Sequence, residues 1–149
     1  MVGHLRGGLG QVIVTRKLLD DRRPAQVGLY PNGVEVPTPG LFKGRAGAES
    51  RAWVRNEAGE VLTDMGTGGL VALADPGELS ELHLAGGSGY GDPLERPLEA
   101  VQRDLDGGYV TAEGAERDYG CVVDTDGRID AAASETLREH RSKEPQAAE

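Results

Sequence analysis

An α+β fold is predicted for this chain: a glycine-rich β unit, sandwich-like or barrel-like, followed by a small helical C-terminal part. Three observations carry it. Before residue 86, β-branched and apolar residues cluster in short runs spaced about ten residues apart, divided by Gly, Pro and Asn. Beyond residue 93, apolar residues recur at helical spacing, with capping residues ahead of them and glycines behind. Between the two lies Gly86–Pro93, Gly-Gly-Ser-Gly-Tyr-Gly-Asp-Pro. Its glycines permit φ > 0 and close backbone approach, and Asp-Pro is a turn signal. The expected organisation is one compact domain, with a β-rich part over 1–85 and the joint plus helical part over 86–149.

The elements follow in order. Val2–Gly10 reads as a glycine-rich loop, and Gln11–Leu19 as the first strand, with β-branched Val12, Ile13, Val14 and Thr15. Asp20-Asp21-Arg22-Arg23-Pro24 is a charged corner. Val27–Tyr30 is a short strand closed by Pro31-Asn32-Gly33. Pro37, Pro39 and Gly40 then impose a long loop to Gly47, with Leu41 and Phe42 as its apolar anchors. Ser50–Asn56 and Glu60–Thr63 read as a hairpin, Gly69–Ala74 and Leu79–Leu84 as two further strands around the Asp75-Pro76-Gly77 turn. Past the joint, Pro97 suits a first helical turn, and Leu98, Val101 and Leu105 make one face, stopped by Gly107-Gly108. Thr111 caps a second helix that Gly120 halts. Cys121-Val122-Val123 is a short strand. Asp130 caps a last helix to about Arg141, and Ser142–Glu149 is expected to fray.

Composition sets limits on function. The chain has 149 residues, a formal charge of −9, one cysteine and few aromatic residues. The acidity argues against nucleic acid or an anionic membrane as main partner. Lone Cys121 excludes an internal disulfide and a cysteine-based zinc module. No apolar run approaches 18 residues and no secretory segment follows Met1, so the cytoplasm is the default expectation. The early first strand suggests the tail of a larger protein.

Most candidate chemistry fails on inspection. Asp124–Asp130 superficially matches the middle of a calcium loop, but aligning Gly127 with the invariant glycine puts Val122 and Ala133 at the first and last ligand positions. No glycine cluster has the Gly-Lys-Ser/Thr of a phosphate loop, and Gly86–Gly91 is followed by a carboxylate. The sequence around His4, His83 and His140 shows no His at i+4 and no Cys or Asp pattern of metal-ligand spacing. Cys121 lies in an apolar run and reads as a small buried hydrophobe. No catalytic residue is assigned, and metal binding stays undetermined. Arg6, Gly7, Gly8 and Gly10 are the positions that can contact an anion or a partner, since a guanidinium beside free backbone N–H groups suits carboxylate or phosphate. The plainer reading is a loop passing close to another backbone. Gly89, Tyr90, Gly91 and Asp92 are assigned to shape at the joint.

These residues also carry a resemblance. Arg6-Gly7-Gly8-Leu9-Gly10-Gln11, Asp21-Arg22-Arg23, and Pro39-Gly40-Leu41-Phe42 with Gly44 and Gly47 resemble the C-terminal region of hydantoinase B/oxoprolinase proteins. The most specific run is Gly89-Tyr90-Gly91-Asp92-Pro93-Leu94-Glu95-Arg96, followed by Gly107, Val110, Ala115, Arg117-Asp118-Tyr119-Gly120 and Val122-Val123. Gln26–Pro37 is longer than the family's usual path. Members of that family are several times longer, with their catalytic and metal-binding portions upstream. A separately encoded piece of this kind is similar to the small subunit of acetophenone-carboxylase-type enzymes. The resemblance therefore implies a non-catalytic subunit of an ATP-dependent ketone carboxylase, partnered by hydantoinase-A-like and hydantoinase-B-like large subunits. ATP and a divalent metal would belong to those large subunits and none to this chain alone. The same role in a hydantoinase or oxoprolinase that hydrolyses cyclic amides is the alternative, and a free-standing ligand-binding domain using the glycine loops is a third.

Overall fold

The computed structural model describes residues 2–19 and 21–143. Two compact units interleave along the chain: Gly8–Pro39 with Gly47–Gly87, and Met1–Gly7 with Gly40–Ala46 and Ser88–Glu149. The first is the β unit and the second the helical unit. Residues 2–7 and 40–46 thus belong with the helices, although they lie far from them in sequence.

The β unit is built from β1 (Gln11–Arg16), β2 (Ala25–Leu29), β3 (Arg51–Arg55), β4 (Val61–Asp64), β5 (Gly69–Leu73) and β6 (Leu79–Leu84). Four strands make an antiparallel sheet in the order β1-β6-β3-β4, and β2 pairs β5 in a separate ribbon. Ile13 lies opposite Leu82, and Ala52 opposite Leu82 on the other side, so β6 is an inner strand between β1 and β3. The pleat sends Ala52, Val54 and Ser80 to a buried face; Leu29 and Leu73 of the ribbon are also buried. The opposite face carries Trp53, Arg55, Glu81 and His83. The sheet is open, with β1 and β4 as edges, and no closed barrel forms.

In the helical unit, a single 3₁₀ turn (Pro93–Glu95) precedes α1 (Leu98–Asp106) and α2 (Ala112–Tyr119); β7 (Val122–Val123), β8 (Ile129–Asp130) and α3 (Ala131–Lys143) follow. Val101, Ala115, Tyr119 and Cys121 form its buried core, with Leu98, Leu105 and Ile129 packed against them. Thr111 Oγ1 accepts from Gly114 N at 3.1 Å to start α2, and Gly120 stops it at φ +60°. Carbonyls in the last turn of α2 are then taken up by α3: Arg138 Nε donates to Tyr119 O at 2.9 Å, and Arg141 donates to Glu116 O at 2.6 Å. Ser134, fully buried on α3, accepts from Val122 N at 2.9 Å.

Several boundaries differ from expectation. The first strand ends at Arg16 rather than Leu19: after six exposed residues the chain buries Lys17, whose ammonium meets Asp21 and the Ala74 carbonyl instead of continuing along β6. The turn at Asp124–Gly127 closes a two-residue hairpin, β7 with β8, that Asp130 both completes and leaves as the cap of α3. The expected frayed tail lies outside the described residues from position 144, as does Asp20 of the charged corner. No helix among the described residues is long and apolar enough to cross a membrane.

Candidate functional site

Within the helical unit, three extended segments run side by side. Leu5 and Tyr90 exchange backbone hydrogen bonds at 2.9 and 3.0 Å. Leu41 N donates to Gly89 O at 3.1 Å, and Gly91 N to Leu41 O at 2.9 Å. Arg45 N reaches Val2 O at 2.7 Å, so the third pair of segments is tied as well. The strands come together this closely because glycine stands at the crossing. A Cβ on Gly89 would collide with the Val2 carbonyl, and Gly91 lies at φ +77°. Asp92 then starts the 3₁₀ turn by accepting from Leu94 N at 2.9 Å, and Lys43 Nζ meets its other oxygen at 3.0 Å.

This crossing presents apolar side chains outward. Leu5, Leu41, Phe42 and Tyr90 are all exposed, and the Phe42 and Tyr90 rings lie 5.1 Å apart. Phe42 and Lys43 sit at φ +51° and +71°, a left-handed conformation that disfavours side chains with a Cβ. Strain of this kind persists only where surrounding hydrogen bonds over-determine the loop, and here Gly44 N donates to Leu41 O at 2.9 Å.

Behind the crossing lies an ion-pair network. Asp104 of α1 is buried between Arg96 at 2.9 Å and Arg6 at 3.5 Å. Arg96 also donates to His4 O at 2.9 Å, and the Arg6 guanidinium lies 4.8 Å over the Tyr109 ring. Asp118 of α2 receives Arg117 at 2.7 Å and Arg45 at 2.7 Å. Burial alone would push the Asp118 carboxyl up, but the Arg117 hydrogen bond and both guanidinium charges hold it below its ordinary value. Four arginines thus meet two aspartates in a chain that is acidic overall. Arg6, Arg117, Tyr109 and Thr111 line a shallow concavity of about 300 Å³.

Each sequence-assigned position is now placed. Arg6 and Gly7 fall in the helical unit, where Arg6 faces an internal carboxylate; Gly8 and Gly10 fall in the β unit. Gly8 has open space around it, whereas a Cβ on Gly10 would meet Leu84 O at 2.5 Å. Gly89, Tyr90, Gly91 and Asp92 form the middle segment of the crossing. Cys121 is buried; burial pushes its thiol up, with Arg138 at 3.2 Å opposing.

A second cluster, in the β unit, escapes the sequence reading. Glu81 takes hydrogen bonds from Arg55 and, at 2.6 Å, His83, and the His83 ring lies 4.6 Å from Trp53. These contacts hold the Glu81 carboxyl below its ordinary value, the Arg55 bond contributing most. Alternation within β3 and β6 puts these side chains on one face, but only the pairing Trp53 opposite Glu81 brings them together. A concavity of about 480 Å³ opens beside Trp53, Arg51 and Asp64. Carboxylates in both clusters are committed to cations. Among the described residues no group of three His, Cys, Asp or Glu side chains is arranged to hold a metal. The arrangement suits recognition of another polypeptide, through apolar and aromatic side chains rimmed by charge.

The chain belongs to the hydantoinase B/oxoprolinase family, whose family model matches residues 2–93. It is 35% identical to the caprolactamase subunit beta of Pseudomonas jessenii over 144 residues, covering 91% of this chain and 23% of that protein. It is 49% identical to the acetone carboxylase alpha subunit of Xanthobacter autotrophicus over 41 residues, 28% of this chain and 5% of that one. The solved structure of the ATP-dependent caprolactamase from Pseudomonas jessenii superimposes with a TM-score of 0.68 at 30% identity, covering 93% of this chain and 24% of the other. The chain therefore spans about a quarter of the length of the caprolactamase subunit it matches.

Proposed function

We propose that this chain supplies one structural region of a hydantoinase-B-like subunit in an ATP-dependent complex that hydrolyses cyclic amides. The single observation behind the reading is the caprolactamase match, which runs through 91% of the chain yet covers only 23% of that subunit. Its role is assembly. Within the two clusters, Asp104, Asp118 and Glu81 are each paired with an internal cation, and Cys121 is buried. Hydantoinase-A-like and hydantoinase-B-like large chains are the partners, and ATP and a divalent metal belong to them.

Ketone carboxylation, including the acetophenone-carboxylase type with a small subunit, is the second reading. It is favoured by the 49% identity to the acetone carboxylase alpha subunit, confined to 41 residues. Co-purification with both large chains, followed by assays of caprolactam, hydantoin and 5-oxoproline with ATP against ketone plus bicarbonate with ATP, separates them. The expected result is amide hydrolysis that needs this chain. Carboxylation alone moves the conclusion to the second reading, and failure to associate with either large chain removes both.

A further inference from the structure

The edge of β1 is unusual for a protein that works alone. All six residues of Gln11–Arg16 are exposed, Val12 at 56% and Val14 at 49%, and among the described residues no strand pairs with the side facing away from β6. An extended strand left this way presents a row of backbone N–H and C=O groups without partners. Natural edges are blunted by lysines, prolines, bulges or shortness, and the sheet's other edge shows several of these. β4 has only four residues, ends in Asp64, and faces a register shift between Val54 and Arg55. β1 has none. The cation that ends it and the one that follows are engaged elsewhere: Arg16 pairs with Glu57, and the Lys17 side chain, only 5% exposed, meets Asp21 at 3.3 Å and Ala74 O at 3.4 Å.

We propose that the free edge of β1 receives an extended segment of the hydantoinase-B-like large chain as a fifth strand of this sheet. The inference rests on the assembly reading above, because the caprolactamase relative carries about three quarters of its length beyond the region matched here. Main-chain hydrogen bonds along residues 11–16 would supply the attachment. Val12, Val14 and Arg16 on one face, and Gln11, Ile13 and Thr15 on the other, would meet alternate side chains of the added strand. An incoming strand with β-branched or aromatic residues opposite Val12 and Val14 fits this edge best.

The test is amide hydrogen exchange on the full chain, alone and mixed with a hydantoinase-B-like large chain lacking the matched region. Alternate amides of 11–16, those not bonded to β6, should exchange at least tenfold more slowly in the complex. Ile13→Pro and Val14→Pro provide an independent arm, since successive amides point to opposite edges. One substitution breaks the β6 ladder, while the other leaves the isolated chain folded and weakens binding at least tenfold. A complex that forms with exchange at 11–16 unchanged overturns the inference and leaves the assembly reading standing. No complex at all overturns both. Protection of 11–16 by a second copy, not displaced by the large chain, also overturns it.

Discussion

Gly89 and Gly8 are both glycines of the family-like runs, yet their surroundings differ completely. A methyl at Gly89 would overlap the carbonyl of Val2, and both segments are fixed by hydrogen bonds to their neighbours. Gly8 has no heavy atom within 4 Å of the same position. Gly89→Ala should therefore lower the unfolding free energy by about 2 kcal/mol or more, as overpacking does, while Gly8→Ala changes it by less than about 0.5 kcal/mol. Urea midpoints of the two variants decide this; equal midpoints would refute the close-approach argument. If Gly8 instead contributes backbone to an anion site, its variant keeps stability and raises KM for nucleotide or bicarbonate in the assembled complex.

The paired carboxylates belong to the same scale. Asp118 and Glu81 are both held below their ordinary values in the folded chain. A depressed carboxyl favours the folded state above its unfolded pKa, and that contribution disappears as pH falls through the folded one. Stability should thus be flat near neutrality and drop below about pH 4. Asp118→Asn removes the charge that Arg45 and Arg117 both face, so its melting temperature should fall at pH 7 by an amount equivalent to about 1–3 kcal/mol. Its acid slope should also be shallower than that of the parent chain. Parallel slopes in thermal melts from pH 7 to pH 2 would show that Asp118 is not one of the groups involved.

At the scale of elements, the turn from α2 into β7 is the clearest place for a chemical probe. Cys121 sits there without solvent exposure, its thiol pushed up by burial against the opposing charge of Arg138. It should react with a disulfide reagent only as fast as the unit opens, and at full rate in denaturant. Rapid stoichiometric labelling of the folded chain would contradict that placement. This turn also shows what a linear reading captures. Thr111, Gly120 and Asp130 declare the helix ends because capping is a contact within three or four residues. The strand positions are legible for the same reason, from alternation and turn residues. Pairing order is not: that β6 sits between β1 and β3 depends on segments tens of residues apart. The Trp53, His83, Glu81 and Arg55 cluster follows from that register and was hidden with it. So was Asp104, an ordinary helical acid until Arg6 and Arg96 converge on it. Arg6 was identifiable as a functional candidate, but its internal partner was not.

For the whole molecule, two opposing terms govern behaviour in solution. Val12, Val14, Leu18, Leu19, Leu41 and Phe42 are exposed, which draws copies of the chain together. The formal charge of −9 keeps them apart. Repulsion between surfaces is screened by salt, with a Debye length near 10 Å at 0.1 M and about 3 Å at 1 M, whereas apolar association is not weakened by it. Light scattering on the isolated chain should accordingly show self-association that moves to lower protein concentration as NaCl rises from 0.05 to 1 M. Adding the hydantoinase-B-like large chain should suppress that association at every salt concentration, because the same side chains are then covered. A chain that stays monomeric throughout would mean that the exposed apolar residues are too dispersed to act as a docking surface, and the assembly role would lose its physical basis.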